Sequence, residues 1–123
     1  MLDHLLNPAA TLKELRAKMH KDAILLIVTH DEGSLLPKVV GKNWPAYCLQ
    51  HPQIYNKSTI RTLLEKCDFK VLEQNKTVNH FPIAFLAKHL LWGFGVRVKD
   101  MPSLGHAVVG LKLGNMMTLA APR

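Results

Sequence analysis

Seven histidines stand in a chain of 123 residues, at positions 4, 20, 30, 51, 80, 89 and 106, and their neighbours decide what each could do. His30-Asp31-Glu32 follows directly on the apolar run Ile24 to Val28. An imidazole beside carboxylates, at the C-terminal end of a strand, could act as a general base toward an oxygen or nitrogen nucleophile. The same residues could equally be a polar cluster that ends the strand. Trp44, Tyr47, His51 and Tyr55 combine aromatic walls with a titratable group on one stretch, as a lid over a small organic substrate would. Packing onto a sheet edge would use those side chains just as well. Asp3-His4 reads on its own as a polar pair ahead of a helix. The histidines show no HxxxH or HExxH spacing and no cysteine partner, so no metal site is expected.

The elements that must hold these groups follow from local signals. Asn7 can cap a helix and Pro8 is preset for its first position, which predicts a helix from Pro8 to about His20 with Leu12, Leu15 and Met19 buried. Ala23 to Thr29 lacks alternation and is rich in β-branched residues, the pattern of a central parallel strand covered on both faces. A long connection, roughly His30 to Tyr55, contains room for a short helix at Ser34 to Val40. Asn56 caps a second predicted helix, Lys57 to Cys67, whose stripe is Ile60, Leu63, Leu64 and Cys67. Phe69 to Glu73 opens a strand that could run brokenly to Val78. Pro82 opens an apolar helix to about Phe94, expected to be buried although it could cover a lipophilic substrate or lie on a membrane. A glycine-punctuated segment from Pro102 to Gly114 leads to a last strand at Asn115 to Ala120.

Composition narrows the function classes. A hydrophobic share of 48% with 20% charged residues belongs to a chain that packs a core. Sixteen Lys and Arg against nine Asp and Glu give a net charge of +7, but the cations are scattered singly and not interleaved with aromatics. That dispersal argues for a solvated surface and against specific nucleic-acid binding. Cys48 and Cys67 lie in apolar surroundings without CxxC spacing, so both are expected as buried, reduced thiols in a cytoplasmic protein. No apolar stretch reaches the ~20 residues that span a bilayer, and no membrane contact is expected.

Four stretches together resemble the C-terminal half of a class I S-adenosylmethionine-dependent methyltransferase. Asp3-His4-Leu5-Leu6-Asn7-Pro8 with the following helix is similar to the family segment after its fourth strand. Ile24 to Thr29 resembles the fifth strand. Trp44-Pro45, His51 and Tyr55 to Phe69 are similar to the substrate-side loop and the helix leading into the sixth strand, and Gly114 to Ala120 resembles the seventh. His20-Lys21-Asp22-Ala23 departs from the Pro-Gly-Gly type turn common at that corner.

The resemblance implies an α/β fold: a partial Rossmann-like sheet with strands equivalent to 5, 7 and 6, the 7-equivalent antiparallel, and flanking helices. Residues 1–123 are expected to form one domain that lacks the N-terminal cofactor-binding half. S-adenosylmethionine is the implied cofactor, with Asp3 and His4 near its methionine end. The implied reaction is methyl transfer to a small-molecule substrate, with His30 or His51 removing a proton and Trp44, Tyr47 and Tyr55 lining the substrate. Among Trp44, Tyr47, His51 and Tyr55, His51 is favoured because the family places a residue at that spacing, ahead of the Asn56 cap, beside the pocket. The isolated chain is expected to be inactive. The rival expectation is a non-catalytic domain that docks a partner half, or a second copy, through the open edge of the Ile24 to Val28 strand.

Overall fold

A computed structural model describes residues 2–98 and 107–123. A 3-10 turn, Leu2–His4, precedes helix α1, Pro8–Lys18, where Asn7 Oδ1 accepts the Ala10 N–H and Pro8 occupies the first turn. Strand β1, Leu25–His30, leads to a short helix α2, Leu35–Val40, and a loop that ends at Tyr55. Helix α3, Lys57–Glu65, starts at a reciprocal cap: Asn56 Oδ1 accepts the Ser58 and Thr59 N–H groups, while Thr59 Oγ1 accepts the Asn56 N–H. Strand β2, Phe69–Lys76, strand β3, Asn79–Pro82, helix α4, Ile83–Gly93, strand β4, Val108–Leu111, and strand β5, Asn115–Pro122, complete the order. The short α2, the helix and strand expected before it and the four elements expected after it are present at close to their predicted bounds. The two-stranded β3–β4 sheet was not foreseen, and the 102–106 portion of the predicted connection, with His106, lies outside the described residues.

The main sheet has the order β1-β5-β2, with β5 antiparallel to both neighbours, so β1 and β2 run parallel to each other. This is the Rossmann-like arrangement of fifth, seventh and sixth strands. Leu25 pairs with Ala120 and His30 with Asn115; on the other side Phe69 pairs with Pro122, and the register shifts by one residue around Leu72. The bulge lets β2 keep Phe69 on the covered face while its far end continues along β5.

One layer of helix covers the sheet. Leu12 of α1 and Ile60 and Leu64 of α3 close on Ile27, Phe69, Met116 and Ala120, with Tyr55 and Cys67 at the margin. Each fully buried large side chain of this set contributes about 1.5–3 kcal/mol of transfer free energy. Leu15 is exposed, so the stripe of α1 reduces to Leu12 with Met19 at its edge.

Three expectations are corrected here. The β1 strand alternates, with Ile27 and Thr29 buried while Leu26 and Val28 are 56% and 45% exposed, and among the described residues it pairs on one side only. Its apolar composition on both faces suggested two covering layers, but composition records what a face tolerates and not which helices reach it. Helix α4 is not buried: Phe85, Leu90 and Trp92 are about half exposed, because α4 packs on β3 of the two-stranded sheet and away from the main core. Cys67 is buried as expected, whereas Cys48 is exposed on the loop. Among the described residues no helix is long and apolar enough to cross a membrane.

Candidate active site

The end of β1 carries the chemistry. His30 is its last residue, and the 3-10 turn at Leu2–His4 packs against that end, placing Asp3 beside the ring. His30 Nδ1 and Asp3 Oδ2 are 2.5 Å apart, and Asp3 is only 2% exposed. Burial alone would push the Asp3 carboxyl up; hydrogen bonds to the carboxylate, among them the one from His30, outweigh it and hold the group down at about 2. An ionised Asp3 accepts only, so Nδ1 of His30 carries the proton and donates it. That partner fixes the tautomer, and in the neutral ring it puts the lone pair on Nε2.

The loop after α2 brings the second imidazole. His51 Nδ1 donates to the Ala46 carbonyl at 2.9 Å, with Cys48 Sγ 3.3 Å from the same nitrogen, the tautomer that in the neutral ring puts the acceptor on Nε2. The His51 ring lies 4.5 Å from His30 and 4.5 Å from His4, centroid to centroid, and His4 Nδ1 donates to the Gln50 carbonyl. The loop is tied down at both ends. Gln53 N–H donates to the Asp3 carbonyl, and buried Trp44 sets its edge against His30 at 5.9 Å. Gly114, at φ +78°, lets the chain turn into β5 and offer its carbonyl to Asp31 N–H at 2.7 Å. A side chain there would also stand 3.5 Å from the Trp44 ring.

His30, His51 and Trp44 line a cavity of about 330 Å³ together with Asn79, Gly114 and Asn115. An apolar cavity of about 350 Å³ adjoins it under α4. An imidazole held by a buried carboxylate, with its second nitrogen available at an organic-sized cavity, can accept a proton from a bound nucleophile. Asp3, His30 and His51 also offer ligand atoms within 4.8 Å of one another, a grouping that could hold a divalent ion and that no sequence spacing announced. The hydrogen bond between Asp3 and His30 already uses the facing atoms, so a metal would have to displace that proton.

Folding thus unites Asp3, His4, His30, His51 and Trp44. The other predicted residues sit differently. Tyr47 is half exposed with its ring edge on Trp44 at 5.0 Å, and Tyr55 is buried in the core; neither lines the two cavities. Burial first, and the Asp3 charge second, push the Tyr55 hydroxyl up to about 12. Asp31 and Glu32 turn out to be structural. Asp31 Oδ1 accepts the Gly33 N–H, and Glu32 Oε1 accepts Asn56 Nδ2, which fastens the strand's end to the cap of α3. Sequence reasoning missed Asn79 and Asn115. Asn115 had a signal, since it follows a glycine and opens a strand, while Asn79 belongs to the unforeseen two-stranded sheet.

The sequence pattern of the methyltransferase domain family matches residues 1–74, more than half of the chain. No curated protein matches. Among solved structures, one named "putative methyltransferase" from Bacillus halodurans C-125 is similar at 18% identity with a TM-score of 0.56, covering 98% of this chain and 59% of its own. At that identity the likeness speaks for the fold, and the chain spans about three-fifths of that neighbour's length. With the strand order, the turn at Asp3 and His4 and the family match all in agreement, the chain belongs to the methyltransferase domain family.

Proposed function

We propose that this chain forms the acceptor side of an S-adenosylmethionine-dependent methyltransferase acting on a small molecule, with His30 as the general base. The observation that carries it is the Asp3–His30 pair, buried on the carboxylate side and open to the 330 Å³ cavity on the other. S-adenosylmethionine, when bound, would supply a methyl group on a sulfonium sulfur, whose C–S bond breaks toward sulfur and leaves a neutral thioether. His30 Nε2 takes the acceptor's proton as its oxygen or nitrogen forms the new bond to carbon, and Asp3 faces the positive charge left on the ring. Asp3 acts as a positioning residue, because its carboxylate is engaged and enclosed. His4, exposed at the same turn, is the group with surface to offer the methionine end of the cofactor. Trp44 and His51 wall the cavity, and holding nucleophile and methyl together supplies most of the acceleration.

The sequence contains no GxGxG-like run, so the adenosine end is held by a further part of the domain, in the same polypeptide or in a partner. The free cysteines suit a cytoplasmic setting. The test is methyl transfer by the protein that carries this chain. His30→Gln is expected to lower kcat by about 10²–10⁴-fold with KM little changed, and Asp3→Asn by less. The chain alone is expected to be inactive and to bind S-adenosylmethionine weakly or not at all in calorimetry. Full turnover in His30→Gln would remove the base from the mechanism.

The bare edge of β1, with Leu26 and Val28 exposed, favours a second reading as a docking module for a partner half or a second copy. Sedimentation of the chain alone separates the two, since a monomer at tens of micromolar leaves that edge without a partner of its own kind.

A further inference from the structure

We propose that the methyl acceptor is an amphiphile whose reacting head occupies the His30 cavity and whose hydrocarbon body fills the apolar cavity beneath α4. This rests on the methyl-acceptor reading above and adds the substrate class. The two cavities are not separate sites. Leu36, Pro45, Phe81, Phe85 and Leu113 line both, and Phe81 and Phe85 stack at 5.9 Å and 9° to form their shared wall. Among the described residues that line the far side, Asn43 is the one with a polar, non-aromatic side chain, and none is charged.

That asymmetry selects a ligand. A molecule polar throughout would lose its hydration in the second cavity and find almost no partner there, which costs more than it returns. An uncharged chain or ring system meets mostly aliphatic and aromatic carbon. The apolar wall is also the part of α4 that the rest of the described chain leaves uncovered, with Leu90 60% exposed. A bare apolar patch next to a catalytic-type cluster is the expected form of a lipophilic substrate groove. The 350 Å³ of space lies in the range of organic-ligand pockets.

The experiment is calorimetry of the full chain with a series of 4-alkylphenols, from phenol through butyl to octyl. Each methylene placed in the cavity is expected to tighten binding about fourfold until the space is filled. Leu90→Glu, and independently Val40→Glu on α2, are expected to abolish the dependence on chain length while phenol binding and the urea midpoint stay unchanged. Affinity that ignores alkyl length overturns the inference, as does an equal gain in both variants, which would be adsorption elsewhere. The two readings fail separately. Length-dependent binding without methyl transfer in the intact protein counts against the methyltransferase reading, whereas methyl transfer confined to polar acceptors counts against the amphiphile.

Discussion

Replacing Asp3 with Asn tests whether a buried carboxylate, and not only shape, holds His30 in place. The amide keeps the volume and removes the charge. With 3.8 for the unfolded carboxyl and about 2 for the folded one, ionised Asp3 stabilises the fold by about 2 kcal/mol at neutral pH. The folded value is the lower of the two, so the contribution is complete well above 3.8 and is lost as pH falls through the folded value. At pH 3 roughly half of it, about 1 kcal/mol, is already gone. Urea unfolding at pH 7 and pH 3 reads this directly. Wild type should lose about 1 kcal/mol more over that interval than Asp3→Asn, and Asp3→Asn should be the less stable protein at pH 7. His30→Gln should fall between them, since the His30 bond supplies only part of the depression. Equal losses in wild type and Asp3→Asn would show that the carboxyl titrates alike in both states, and the Asp3–His30 pair would then have no electrostatic content.

Three other sites give independent checks. The buried Tyr55 hydroxyl has no hydrogen-bond partner among the described residues, so Tyr55→Phe should match wild type or gain up to about 1 kcal/mol in thermal unfolding at pH 7. Because its folded pKa of about 12 exceeds the unfolded 10.0, wild type should lose stability as pH rises through that interval, and Tyr55→Phe should lose less. Asn56→Ala removes the cap of α3 and the bond to Glu32 together, and should cost about 1–2 kcal/mol in urea. Asp68 holds φ +62° just past α3, where glycine has no Cβ penalty, so Asp68→Gly should raise the urea midpoint by the equivalent of about 0.5–1 kcal/mol.

The helices and strands were legible because their signals are local. Asn7-Pro8 and Asn56 cap helices through bonds within three residues, and β-branched runs declare strands whatever they pair with. The order β1-β5-β2 came from resemblance and not from periodicity, since nothing in residues 115 to 122 announces insertion between two earlier strands. The β3–β4 sheet was illegible for a related reason: its strands are four residues each and separated by α4 and the segment after it.

The sequence by itself determined which groups this protein has for chemistry: imidazoles at the ends of a strand and a loop, and an aromatic wall near them. Tertiary structure decided what those groups are. His30 was adjacent in sequence to Asp31 and Glu32, yet those carboxylates turn back to serve Gly33 and Asn56, and the anion that meets the ring comes from Asp3, twenty-seven residues earlier. Side chains that neighbour each other along a strand leave it in opposite directions. Only the packing of the first turn against the end of β1 could supply the partner.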